Sequence, residues 1–340
     1  MSSHNQVVTM AHGSGGRAMQ QMIERMFLQA FDNPWLNERE DSARLSLAAL
    51  SCQGDHLAFT TDSYVIDPIF FPGGNIGKLA VCGTANDLAV IGATPAFLSC
   101  GFILEEGFPL DDLQKIVSAM AVTANEAGIA IVTGDTKVVQ RGAADKIFIN
   151  TAGIGVIPTA VTWAAKRIQV GDKVIVSGTL GDHGAAILNL RERLEMDLAV
   201  QSDCAVLAAM IAPLRTLSGV HALRDATRGG VNAILHEFHQ ASGLGICIDD
   251  NALPVRPAVR GICELLGLEP LNFANEGKVV LVVSAEAEKR VLKILREHVL
   301  GVDAVTIGEV TVDPQVCVRG ALGISRRLML PHAEPLPRIC

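Results

Sequence analysis

Ala222-Leu223-Arg224-Asp225-Ala226-Thr227-Arg228-Gly229-Gly230 ends a strand-like run and opens a helix marked by Val231, Ile234, Leu235 and Phe238. Backbone amides at a helix start, a hydroxyl and two arginines make such a junction a nest for an anion. A similar junction lies upstream, where the strand at 173–177 runs into Gly178-Thr179-Leu180-Gly181-Asp182-His183-Gly184 before a helix from Ala185. A strand-to-helix crossing needs glycines there whether or not an anion binds. Further strands at 279–283 and 304–310 flank an amphipathic helix at 286–299. From about residue 160 the chain therefore alternates strands with helices, which predicts an α/β domain.

The first half reads differently. His12-Gly13-Ser14-Gly15-Gly16-Arg17 is a glycine-rich loop before a helical run at 19–31, suited to phosphates or to ordinary helix initiation. Residues 32–54 carry no sustained periodicity. A strand at 56–61 delivers Thr61-Asp62-Ser63 at its end, a place for a cation ligand or a turn cap. The helix at 76–91 is small and apolar except for Asn86 and Asp87, whose presence is costly unless they are capped, solvated or bound to a ligand. Leu113, Ile116, Val117 and Met120 stripe a packing helix at 110–127. A strand at 129–132 then opens into Thr133-Gly134-Asp135-Thr136-Lys137, an acid, a hydroxyl and an ammonium together after a glycine. That grouping suits a nucleotide site, with a hairpin turn as the alternative. Near the other end, Asn275-Glu276-Gly277-Lys278 precedes a strand and places Glu276 at a sheet edge or in a cleft.

The chain of 340 residues is 49% apolar with a formal charge of -8, long enough for two domains and without the basic field that nucleic acid or an anionic membrane requires. Eight cysteines show no CxxC spacing, so neither a zinc site nor a disulfide framework is expected. No leader and no membrane span is expected, and the cytoplasm is the default location.

The last residue is Cys340. The stretch 331–337 holds three prolines, which discourage helix and sheet alike. At the polyproline rise of roughly 3.1 Å per residue, the segment from Pro331 reaches about 30 Å. It reads as a thiol-bearing arm or as a frayed end.

Taken together, His12–Gly16, Thr61-Asp62-Ser63, Asn86-Asp87-Leu88-Ala89, Gly134–Lys137, Arg224–Gly230, Asn275-Glu276-Gly277 and the terminal Pro-Arg-Ile-Cys resemble a known family. It is the nickel-iron hydrogenase maturation factor family HypE, of the superfamily that includes aminoimidazole ribonucleotide synthetase and selenophosphate synthetase. The internal motifs mark the superfamily; the last four residues separate HypE from its relatives. The resemblance implies an α+β N-terminal domain (1–160), whose sheet becomes barrel-like in a homodimer, an α/β C-terminal domain (161–325) and a flexible tail (326–340). It implies ATP between the domains, near Gly13, Gly15, Gly16, Thr136, Asp225, Thr227 and Arg228. Mg²⁺ would be held by Asp62, Asp87 and Asp135.

The implied reaction is ATP-dependent dehydration of a carbamoyl group on Cys340 to a thiocyanate, for the cyanide ligands of the hydrogenase iron. Glu276 is the candidate base, with Lys137 as the competitor and as a neutraliser of phosphoryl charge. The implied partners are the carbamoyltransferase HypF and the iron-carrying HypC–HypD scaffold, with no nucleic acid and no membrane. Two other readings are another synthetase of the superfamily, such as selenophosphate synthetase, and a non-catalytic metal chaperone using Cys340 with His332. The terminal carboxylate beside the thiol is expected to raise its pKa, with Arg338 as a partial offset.

Overall fold

The computed structural model describes residues 6–192, 200–332 and 336–340. The first half begins with helix α1 (Arg17–Met22), prolonged by a π-helical turn, and short helices α2 (Pro34–Asn37) and α3 (Leu47–Ser51) in the aperiodic excursion. There follow β1 (His56–Tyr64), the small hairpin β2 (Phe70–Phe71) and β3 (Gly74–Asn75), α4 (Ile76–Val90), β4 (Thr94–Glu105), α5 (Leu110–Ala127), β5 (Ala130–Val139) and β6 (Ile147–Ile157). Four of these strands form one sheet in the order β1-β6-β4-β5, antiparallel except for the β4–β5 pair.

Local chemistry sets these elements. The Asn75 side chain accepts from the amides of Gly77 and Lys78 at 2.9 and 3.1 Å, capping α4. Gly128, in the left-handed region at φ 67°, ends α5. α5 buries one stripe, Leu113, Ile116, Val117 and Met120, whereas α4 is buried almost all round because it lies between the sheet and the second half of the chain. The other face of the sheet exposes Leu57, Phe59 and Ile103.

The second half comprises β7 (Lys173–Val176), α6 (Asp182–Glu192), α7 (Ala208–Ile211), β8 (Val220–Asp225), α8 (Gly230–Ser242), β9 (Gly245–Asp249), α9 (Pro257–Leu266), β10 (Val279–Val283), α10 (Glu288–Arg296), β11 (Val305–Thr311), β12 (Val316–Arg319) and β13 (Ser325–Arg327). The sheet order is β13-β12-β9-β11-β7-β10-β8. All five residues of β10 are buried, since α8 packs its core on one face and α7 with α10 on the other. The expected alternation of strands and helices is present, yet β12–β9 is the one parallel pairing in this sheet among the described residues. Strands β7, β8, β9 and β12 run one way, and β10 and β11 insert between them in the other direction.

Two local expectations change. The strand expected at 129–132 does not end in a turn: β5 continues through Thr133–Lys137 to Val139. A register shift opposite Leu98/Ser99 and the close pass of Gly134, where an added Cβ would lie 2.3 Å from the Cys100 carbonyl oxygen, carry the strand through. The tail expected from residue 326 starts later, because Ser325–Arg327 pairs with β12 and Leu328 N donates to Val316 O. Part of the proline-rich arm, residues 333–335, lies outside the described residues. No helix among the described residues is long and apolar enough to cross a membrane.

Candidate functional site

Alternate residues of β1 point at α4, which brings Thr60, Asp62 and Tyr64 to the helix face carrying Thr84 and Asp87. Thr60 Oγ1 donates to Asp87 Oδ2 at 2.8 Å, and the Tyr64 hydroxyl donates to Asp62 Oδ2 at 3.3 Å. From the second half, the end of β8 supplies Asp225 and the loop before β10 supplies Glu276. Burial pushes Asp87 up to about 6, with the Asp62 charge adding to it. Burial, then Asp87 and Asp62, push Asp225 up to about 7. Asp62 rises too, mainly through burial, while Arg228 opposes the shift. Four carboxyl groups thus crowd one region against Arg224 and Arg228. Thr60, Asp87, Arg224 and Asp225 line an interdomain cleft of about 380 Å³ with Trp163 as an apolar wall.

Glu276 is only 3% exposed, and burial followed by Cys204, Asp203, Asp225 and Asp62 drives its carboxyl well above the ordinary range. Its Oε1 is buried without a hydrogen bond among the described residues. The backbone around it is fixed. Glu276 N donates to Asp203 Oδ1 at 3.0 Å, Lys278 Nζ lies 3.2 Å from Asp203 Oδ2, and Gly181 N donates to Asn275 Oδ1 at 2.7 Å. Gly277 is required: an added Cβ would meet Asp203 O at 1.9 Å.

Asn86 and Asp87, adjacent in sequence, do different things. Asn86 Nδ2 donates to Ala205 O at 3.0 Å and its Oδ1 accepts from Leu207 N at 2.8 Å, so this amide ties α4 to the 205–207 loop. Asp87 alone faces the cleft. Thr227 is half-buried and Arg228 exposed at the turn into α8, where Gly229 and Gly230 adopt φ 75° and 60°.

The other motif residues gather elsewhere. Gly13 packs on β5, where a Cβ would come within 2.8 Å of Val138 Cβ, so the loop with Gly15 and Gly16 lies beside Asp135–Lys137. Register places Asp62, Thr151, Cys100 and Gly134 in one row across the sheet, which puts Asp135 on the opposite face from Asp62. Three interstrand steps separate them, roughly 14 Å. Asp135 therefore does not join Asp62 and Asp87 within one chain. Lys137 Nζ pairs with Asp135 Oδ2 at 2.8 Å in the open, and Thr136 turns inward beside Phe102. Among the described residues no three His, Cys, Asp or Glu side chains converge closely enough to hold a metal ion.

The end of the chain is seated. Leu336 and Ile339 are buried, and Val65 N, just past β1, donates to a terminal carboxylate oxygen of Cys340 at 3.2 Å. His183 Nε2 lies 2.8 Å from Ile339 O. Arg338, expected near the terminal carboxylate, instead donates to Val65 O at 2.9 Å and to Asp145 Oδ2 at 2.7 Å. An extended, freely moving arm is thus not what this structure holds; two buried apolar side chains and a run of carbonyl contacts keep the end down.

Residues 40–157 match the family described as AIR synthase related protein, N-terminal domain, and residues 169–320 match AIR synthase related protein, C-terminal domain. Carbamoyl dehydratase HypE of Escherichia coli (strain K12) is 64% identical over 333 residues, which cover 98% of this chain and 99% of that protein. The chain belongs to the HypE family. A HypE hydrogenase maturation protein solved in complex with ATP superposes with a TM-score of 0.92 at 45% identity, covering 98% of this chain and 99% of that one. A HypE–HypF complex gives 0.80 at 47% identity, covering 91% and 99%.

For a HypE chain, several residues at this site carry no local sequence signal. Tyr64 and Thr60 are ordinary strand residues, and Asp203 sits in an unpatterned loop. His183 and Arg191, which touch the tail, belong to a helix whose periodicity reports only packing. Lys278, in contrast, stands next to Glu276-Gly277 and was within reach of the motif.

Proposed function

We propose that this HypE chain dehydrates a carbamoyl group carried on Cys340 to a thiocyanate, with ATP as phosphoryl donor, as the source of cyanide ligands for a nickel-iron hydrogenase. The observation that carries this reading is the seated tail: Cys340 is bonded through its backbone to Val65, three residues beyond Asp62 on the same chain stretch. The HypE relative solved with ATP supports the nucleotide.

The chemistry follows from a poor leaving group. The carbamoyl oxygen attacks the γ-phosphorus, the bond to ADP breaks, and one N–H proton leaves, giving an S-linked imidoyl phosphate. Loss of the second N–H proton with expulsion of phosphate then forms the C≡N bond on sulfur. Each step needs a proton acceptor close to nitrogen. Glu276 is the residue we assign: a buried carboxyl with so high a pKa is, once ionised, a strong base. Lys137 sits on the far sheet face of the same chain, which disfavours it as the base within one protomer.

The crowded acids fit a cation. Burial raises the pKa of Asp62, Asp87 and Asp225, and the Asp62 charge raises Asp87 and Asp225 further, a condition that a hard cation relieves. Mg²⁺ keeps waters and phosphate oxygens and takes only one or two carboxylates, in agreement with a site that is not a closed protein cage. Asp62 and Asp87 would hold it, and bound there it would neutralise charge on the phosphates.

The placement of Asp135, Thr136, Lys137 and the glycine-rich loop at the opposite sheet edge favours a homodimer, in which a second copy brings them to the cleft. The exposed apolar face of the sheet, with Phe59 72% and Leu57 56% exposed, offers the surface. The HypE–HypF complex supports the carbamoyltransferase as the partner that loads Cys340, and a HypC–HypD scaffold would receive the product.

The test is the intact mass of the protein after incubation with carbamoyl donor, transferase and Mg-ATP. A gain of cyano in place of hydrogen on the C-terminal peptide, absent from Cys340→Ala, is the expected result. A persistent carbamoyl adduct with ATP bound would sink the dehydration step.

A further inference from the structure

The last three peptide carbonyls of the chain, those of Pro337, Arg338 and Ile339, are engaged by side chains of α6 rather than by the nucleotide motifs, and Val65 N donates to the terminal carboxylate of Cys340. Arg191 Nη1 donates to Pro337 O at 2.7 Å, its Nη2 donates to Arg338 O, and its Nε donates to Asp67 O at 2.6 Å. One guanidinium thus joins the helix, the segment after β1 and the tail. Its hydrogen bonds go to carbonyls rather than to a carboxylate, although burial weakens its hold on its proton. The nearby Asp67 carboxylate is held by Lys146 at 2.8 Å. A half-buried cation without a direct acid partner among the described residues is costly to a fold, and here it coincides with a three-carbonyl fork.

His183, two turns earlier on α6, is fully buried, edge-on to Phe71 at 5.5 Å between ring centroids. Ile339 O can only accept, so Nε2 carries the hydrogen and donates at 2.8 Å. Burial keeps the ring neutral, so Nδ1 accepts from the Ser202 hydroxyl at 2.7 Å. Ser202 Oγ in turn accepts from Cys204 N at 3.1 Å. The Ser202 hydroxyl therefore fixes the tautomer that grips the tail. Arg338 at φ 54° turns the chain so that successive carbonyls face these donors.

We propose that Arg191 and His183 are positioning residues that form a receptor for the tail backbone, holding Cys340 against Val65 for dehydration and withholding it from the loading partner. The placement for chemistry rests on the dehydratase reading; the grip itself does not. Because the receptor reads peptide carbonyls, it sets where the chain end lies irrespective of what the thiol carries. Loading then requires these contacts to break, and dehydration requires them to reform.

The grip is tested on unloaded full-length protein by the rate at which iodoacetamide alkylates Cys340, followed on the C-terminal peptide so that the other seven cysteines do not count. Arg191→Ala is expected to speed alkylation about tenfold, as the released population grows. Arg191→Lys, whose single nitrogen cannot span three carbonyls, should recover little of this, and His183→Gln, which keeps one donor, should recover more than His183→Ala. In the same variants, transferase-catalysed loading should be as fast or faster, while single-turnover thiocyanate formation falls about tenfold with unchanged ATP affinity. Unchanged alkylation in Arg191→Ala overturns the receptor. Should faster alkylation be seen while the wild type forms no thiocyanate, the dehydratase reading fails and the tail receptor stands. Slower loading in parallel with slower dehydration would mark general damage and count against the proposal.

Discussion

Thr60 on β1 donates its hydroxyl to Asp87 on α4 at 2.8 Å, and this bond pulls against the burial and the Asp62 charge that raise the Asp87 carboxyl to about 6. A donor to the charged form favours ionisation, and only the ionised form attracts Mg-nucleotide. Thr60→Val keeps the shape and removes the donor. Mg-ATP affinity at pH 5, below the Asp87 value of about 6, is expected to fall by nearly tenfold, the equivalent of about one pKa unit, whereas at pH 7 the fall is only about twofold, and the gap should close towards pH 9, where Asp87 is ionised in both proteins. Titration calorimetry at pH 5 and pH 9 decides it; equal affinities at pH 5 would detach Asp87 from nucleotide binding.

The same crowding fixes how stability depends on pH. Asp87 at about 6 and Asp225 at about 7 both lie above the ordinary 3.8 of an aspartate. A raised carboxyl prefers to fold protonated, so its contribution is complete below about pH 4 and is lost as pH rises through the folded value. The ligand-free protein is therefore expected to lose thermal stability between pH 5 and 8, and Asp225→Asn, neutral throughout, should flatten that fall. Mg-ATP should reverse it in the wild type. A midpoint that climbs over this range in the wild type, or one that falls as steeply in Asp225→Asn as in the wild type, would contradict the assignment.

How much of this was legible in the sequence differs by residue. Asp87 and Asn86 interrupt an apolar helix, and burial cost alone flagged both. That argument cannot tell a ligand from a clamp, and Asn86 proved to be the clamp, bonded to Ala205 and Leu207 across the domain boundary. Glu276 was placed at an edge or in a cleft, and it is in fact among the most buried acids. The position of Asp135 depended on something periodicity cannot supply, a register shift that carries β5 straight through an apparent turn and sends the aspartate to the outer face. The seated tail was least accessible: its receptors, Arg191 and His183, lie some 150 residues earlier and touch only backbone.

The exposed face of the first sheet gives a second test. Phe59 projects there at 72% exposure, next in sequence to Thr60, which faces the cleft. Phe59→Glu puts a charge on the face proposed to meet a second copy while leaving the protomer core untouched. Sedimentation should show a dimer for the wild type and a monomer for the variant, with dehydration lost by at least about a hundredfold because the glycine-rich loop and Lys137 would no longer be supplied. A monomeric variant with full turnover would show that each chain holds a complete site.

Glu276→Gln separates fold from chemistry at the base. Burial and then the neighbouring Cys204, Asp203, Asp225 and Asp62 push the Glu276 carboxyl well above the ordinary range. Glutamine is close to it in shape and carries no charge, and the backbone contacts of residue 276 to Asp203 and Ala205 do not involve the side chain. The variant should melt within a degree or two of the wild type and bind ATP as tightly. What it lacks is the capacity to take a proton. Thiocyanate formation is expected to drop by about 10²–10⁴-fold, the usual contribution of a positioned general base, with the S-carbamoyl form accumulating in the mass spectrum. Full turnover in Glu276→Gln would remove this carboxyl from the reaction and pass the proton to another group, with Lys137 of a second copy the first to examine.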